Sequence, residues 1–155
     1  MAGRNAVSWG TASSIILGAL LALPMAGTAT AAPVVDSVQL NGTTVWKTSA
    51  IPDRVAGQYL YEKQGEPKIV LNPDGTGTFQ AHMVAPIPVR YWILSDEKGE
   101  PVKETGGANY RYTIVLQYGP GGGGNYPEGG YDSWYWTWMD ADGCANILGE
   151  RFKCG

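Results

Sequence analysis

The sequence predicts an all-β protein, an antiparallel up-and-down β-barrel with a two-layer β-sandwich as the alternative. Three observations carry this. Past residue 31, no stretch of ten or more residues has apolar side chains at helical spacing. Short runs rich in Val, Ile, Thr, Tyr and Trp recur instead, each closed by Gly, Pro, Asn or Asp. The runs follow one another without room for helical crossovers, so neighbours are expected to be antiparallel, and a barrel leaves no exposed edges.

Residues 1–31 read as an export signal. Arg4 supplies the positive start, Ile15 to Leu23 an apolar core, Pro24 a break, and Ala29-Thr30-Ala31 the small-x-small pattern of a cleavage site. That core is too short for a permanent membrane anchor, since a ~30 Å hydrocarbon layer takes roughly 20 helical residues. The expected location is therefore secreted or periplasmic, with residues 32–155 forming a single domain.

The first hairpin is Val38 to Leu40, then Asn41-Gly42, then Thr43 to Trp46, because Asn-Gly supplies the positive φ angles of a two-residue turn. Gln58 to Lys63 and Lys68 to Leu71 flank Gln64 to Pro67, and Asn72-Pro73-Asp74-Gly75 turns the chain into Thr76 to Met83. Val89 to Ser95, Val102 to Glu104, Tyr110 to Tyr118, Tyr131 to Met139 and Cys144 to Leu148 complete about nine strands. Gly119 to Gly130 holds seven glycines and two prolines and reads as a long flexible loop, either solvent-exposed or a flap over a barrel mouth.

The chain carries 11 Lys+Arg against 14 Asp+Glu, and Arg4 is the one charge lost with the signal, so the exported form is acidic. Its basic residues are interspersed with acids, which argues against nucleic acid as a partner. Cys144 and Cys154, a close pair in an oxidising compartment, are expected to form a disulfide of roughly 3 kcal/mol at most. A metal site would need more ligands than two cysteines and the single histidine, His82, and no cofactor motif is present. The Gly-rich loop lacks the Lys-Ser or Lys-Thr of a phosphate cradle, and Asp140-x-Asp142-Gly143 is followed by Ala145 and Ile147, which cannot continue a calcium loop.

Gly57-Gln58-Tyr59, Asn72-Pro73-Asp74-Gly75-Thr76-Gly77-Thr78-Phe79 and Arg151 together resemble the lipocalin-like, calycin-type barrels over residues 57–155. Gly57-Gln58-Tyr59 is similar to the Gly-x-Trp opening of a lipocalin barrel, with Tyr in the aromatic place. The Asn72 to Phe79 stretch looks like the turn and strand that follow it, and Arg151 stands after the last strand, where a lipocalin Arg packs on that aromatic. The resemblance implies a barrel that holds a small apolar ligand.

Trp134, Trp136 and Trp138 alternate, so in a strand all three point to one face while Tyr135, Thr137 and Met139 point to the other. Tyr110 and Tyr112 belong to a second aromatic face, with Ile114, Leu116 and Tyr118, and are expected to pair across with the Trp strand. The Trp stripe has three readings: barrel filling, a ligand-cavity lining, or an exposed platform that stacks on sugars. No nucleophile motif accompanies His82, and the carboxylate pairs Glu62 with Glu66 and Glu97 with Glu100 fall at turns, so no catalytic residues are assigned. The expected function is non-enzymatic binding of a small apolar or amphipathic ligand by Trp134, Trp136, Trp138, Tyr110 and Tyr112. The alternatives are a protein-interaction module of inhibitor or immunity type, a carbohydrate-binding module and, last, a hydrolase.

Overall fold

The computed structural model describes residues 31–61, 67–81, 84–147 and 150–154. Residues 1–30 of the expected leader over 1–31, the turn at 62–66, His82, Met83 and Leu148 lie outside the described residues, as do the side chains of Arg151 and Cys154. The described residues contain no helix and eleven strands. These are β1 (Val35–Leu40), β2 (Thr43–Thr48), β3 (Gly57–Tyr61), β4 (Pro67–Leu71), β5 (Thr76–Phe79), β6 (Ile87–Ser95), β7 (Glu104–Gly106), β8 (Asn109–Tyr118), β9 (Tyr131–Met139), β10 (Cys144–Ile147) and β11 (Glu150–Cys154).

Every pairing is antiparallel, and two of them close the sheet. β3 to β6 follow in sequence, β8 to β11 do the same, β11 returns to β3, and β6 pairs with β8. The result is an up-and-down ring of eight strands, which leaves no place for the sandwich alternative. Closure depends on a strand that local composition did not indicate. Arg151, expected to follow the last strand, lies inside β11, whose backbone bonds to β10 and β3 on either side. Its alternation of charged and apolar residues is too short to read as a strand, and partners on both edges make it one.

Other boundaries move as well, β1 beginning at Val35, β2 ending at Thr48 and β6 beginning at Ile87. β5 stops at Phe79 although Gln80 N–H still donates to the Lys68 carbonyl, and the short strand expected at Val102 to Glu104 forms at Glu104–Gly106, opposite Asn109–Arg111. The first hairpin is as expected: Asn41 (φ 49°) and Gly42 (φ 80°) occupy the left-handed region its turn requires.

At one end the wall divides. β6 bonds to β5 through Ile87–Arg90 and, farther along the same edge, to β2 through Ile93–Ser95, while β7 takes over from β6 on the edge of β8. The β1–β2 hairpin thus leaves the ring, and β1 also lies against β9. Val115 is completely buried although its neighbours Ile114 and Leu116 are the ones that join the interior, which is explained if the hairpin folds back over the outer wall. Lys47 anchors it: 4% exposed, its ammonium lies 3.8 Å from the centre of the Trp92 ring and 3.6 Å from an Asp36 carboxylate oxygen. Asp36 is largely in water, where such pairs contribute about 0–1 kcal/mol, while a desolvated cation on an indole contributes about 2 kcal/mol, so Trp92 is the stronger hold.

The interior is filled by strict alternation, clearest in β6, where Ile87, Val89, Tyr91, Ile93 and Ser95 are buried and the residues between them are not. Phe79, Ile69, Leu71, Ile114, Leu116, Trp134, Trp136 and Ile147 complete the packing. Gly77 marks a corner of the wall: a Cβ there would stand 2.2 Å from the Val70 carbonyl oxygen, so only glycine lets β4 and β5 approach this closely. Gly77→Ala should therefore cost about 1–3 kcal/mol in a denaturant titration. Gly106→Ala in β7, with nothing within 4 Å, should leave the midpoint close to wild type.

Candidate functional site

The alternation of β9 sends its three indoles inward. Trp134 (4% exposed) and Trp136 (fully buried) are part of the core and Trp138 is half-buried, whereas Tyr135 on the outer wall is 54% exposed. The stripe therefore offers no flat platform to solvent. Tyr110, Tyr112 and Ile114 pair with Trp138, Trp136 and Trp134 in that order, as expected from the two aromatic patterns. Tyr110 and Tyr112 lie half-buried beside Trp136, each 5.9 Å away between ring centres, and Trp136 stacks on Trp138 at 6.4 Å. Four of the five expected ligand residues, Tyr110, Tyr112, Trp136 and Trp138, thus form one aromatic cluster toward the end of the barrel where β8 begins and β9 finishes.

Residues 49–56 cross that end before β3 starts. Val55 is fully buried and Ile51 packs on the core. One hydroxyl ties the crossing segment to the stripe: the Trp136 indole N–H donates to Tyr59 Oη at 2.8 Å, and Tyr59 Oη donates to the Val55 carbonyl at 2.5 Å, with the Arg54 carbonyl 3.4 Å away. Burial pushes the Tyr59 hydroxyl up to about 12, a rise the Trp136 N–H opposes but does not cancel. The phenol stays neutral and keeps the proton that holds Val55.

Arg54, next to that carbonyl, has a left-handed backbone (φ 72°), and its guanidinium carbon lies 4.5 Å from the centre of the Trp138 ring. Around this stack is a cleft of about 440 Å³, lined by Arg54, Gln58, Tyr59, Trp138 and the small residues Ala56, Gly57, Gly143 and Ala145. The Trp138 indole N–H is buried and has no hydrogen-bond partner. A second cation lies at the same end of the barrel, with Lys103 Nζ 4.1 Å from the Tyr110 ring centre.

The Gly-rich loop lies at the opposite end and is largely exposed, as its composition suggests, with Gly119, Gly122, Tyr126 and Gly130 as its partly buried residues. Tyr126 folds back against Phe79 at 5.3 Å and Tyr118 at 5.2 Å. Gly122 makes room for it, since a Cβ there would lie 2.4 Å from the Tyr126 carbonyl oxygen. The composition marked a loop correctly but could not disclose that one tyrosine within it joins the core edge.

Two further clefts carry less chemistry. In the one beside β7, Arg111 and Glu104 satisfy each other. In the one beside Gly119, Tyr118 donates its hydroxyl to Asp132. Sequence reasoning missed Arg54 and Tyr59 as site residues. Residues 49–56 have no periodicity, and the only available signal was Ile51 and Val55 set around the turn-forming Pro52-Asp53.

No protein-family model matches this chain, and no curated protein or solved structure matches it.

Trp136→Ala should cost about 3–5 kcal/mol, the range for deleting a large buried aromatic, and Tyr59→Phe about 1–3 kcal/mol, because the Trp136 N–H is left buried and unpaired. The pH dependence follows from the raised Tyr59 hydroxyl. The unfolded chain ionises near the ordinary value of 10 and the folded one near 12, so this contribution is present below pH 10 and is lost as pH climbs toward 12. Denaturant midpoints measured across that window should fall. Tyr59→Phe should flatten the fall in part, since burial also raises Tyr91 and Tyr118.

Proposed function

We propose that this chain is an exported, non-enzymatic binding barrel of lipocalin-like type that holds a small apolar or amphipathic molecule. The observation that carries the reading is the cleft at the barrel end, where Trp138 and Tyr59 border about 440 Å³ of space; Tyr110 and Tyr112 do not line it and pack on Trp136 behind it. That volume falls within the roughly 300–1,000 Å³ of small-molecule sites. Trp134 and Trp136 support the site from the packed interior, and Trp138 meets the ligand. Among the described residues the lining offers aromatic faces, one cation and one amide, a donor set suited to holding a molecule.

The same reading includes a Cys144–Cys154 disulfide. β10 opens at Cys144, between the cleft residues Gly143 and Ala145, and its neighbour β11 ends at Cys154. A bond between the two would fasten the strand that closes the ring beside the cleft, a contribution of roughly 3 kcal/mol on the chain-entropy account. A second reading, a protein-interaction module, has Tyr135 in its favour, exposed on the outer wall under the Arg111 guanidinium at 4.2 Å.

Titration of the exported protein with the neutral fluorophore N-phenyl-1-naphthylamine is expected to saturate at one equivalent. Trp138→Ala should remove the signal and Tyr135→Ala should preserve it. A wild-type protein that does not enhance the fluorophore, or equal enhancement by the Trp138 variant, overturns the reading.

A further inference from the structure

We infer that the ligand of the Arg54–Trp138 cleft is an organic carboxylate carried on a flat apolar body. This rests on the binding reading above and assigns it a substrate class. Among the described residues Arg54 is the only charged one in the cleft lining, and no carboxylate lies within ion-pair distance of it.

The backbone holds this cation in place. A non-glycine residue at φ 72° is disfavoured and persists where its surroundings impose it. Here Val55 N–H donates to the Pro52 carbonyl and the Tyr59 hydroxyl takes the Val55 carbonyl, so the turn at Arg54 is clamped from both sides. The guanidinium is thereby laid over the Trp138 ring, and its planar N–H fork has the geometry that matches an oxyanion.

The rest of the lining fits the rest of such a molecule. Gly57 and Gly143 contribute no side chains and Ala56 and Ala145 only methyls, which leaves space in the lining for an apolar body. Among the described residues the buried Trp138 N–H has no acceptor. Lys103 on the Tyr110 ring adds positive potential at the same end.

The test compares 2-naphthoate with its neutral isostere 2-naphthamide by calorimetric titration of the exported protein. The expected result is a preference for the carboxylate of about tenfold to a hundredfold, the range for a hydrogen bond to a charged group. Arg54→Gln should abolish that preference by lowering carboxylate affinity to that of the amide, with unchanged far-ultraviolet circular dichroism. Should that variant fail to fold, the wild-type protein still decides: carboxylate affinity must fall as salt rises while amide affinity holds. Equal binding of the two isosteres, an Arg54→Gln variant that keeps the preference, or salt-independent carboxylate binding overturns the anion assignment and leaves the binding reading standing. Failure of both naphthalenes and of the neutral fluorophore overturns the binding reading itself.

Discussion

A single buried hydroxyl joins the parts of this molecule that sequence keeps far apart. Tyr59 accepts from the Trp136 indole and donates to the Val55 carbonyl, so β3, β9 and the segment that crosses the barrel end meet at one oxygen. Neither polar group could be buried alone without a cost of about 1–3 kcal/mol, and together they satisfy each other. Their position has further effects. With Val55 fixed, Arg54 is turned into its left-handed conformation and its guanidinium reaches Trp138, which itself stacks on Trp136. The circuit of contacts thus begins and ends in the Trp stripe, and the candidate cleft is built on it.

The ring of eight strands is filled rather than hollow along much of its length. Buried side chains from every described wall strand whose side chains are placed contribute, and aromatic rings occupy both ends of the packing. At one end Tyr126 returns from the Gly-rich loop to rest on Phe79 and Tyr118. At the other, Ile51 and Val55 enter from the crossing segment. The proposed binding site is consequently an end cleft between the crossing segment and the start of β10, where small residues leave space that the large side chains of the middle do not.

Outside the ring, the N-terminal hairpin shows how an antiparallel barrel manages an edge. β2 continues the edge of β6 where β5 stops, and β1 then lies against β9. A lysine buried on Trp92 holds this layer with its aliphatic stem and its charge, and Val115 beneath is sealed from water. The outer wall near Trp92 is therefore packed structure, which leaves Tyr135 as the more accessible aromatic of that wall.

What the sequence determined by itself is the set of local facts: strand character, turn chemistry and the two faces of each strand. Asn41-Gly42 specified its hairpin because few residues accept positive φ, and the Trp and Tyr alternations of β8 and β9 predicted their pairing because side chains repeat every two residues. It could not say which face of β9 was inside, since Trp134, Trp136 and Trp138 alternate with a Tyr, a Thr and a Met that are also apolar enough to bury. Only closure of the ring decided that, by enclosing one face and exposing the other. The same holds for β11, which is a strand because β3 and β10 supply partners on both its edges, and for Arg54, whose place over Trp138 depends on a tyrosine hydroxyl and an indole 77 residues apart in the chain. Contacts of that range are set by packing and topology, which no local pattern of residues records.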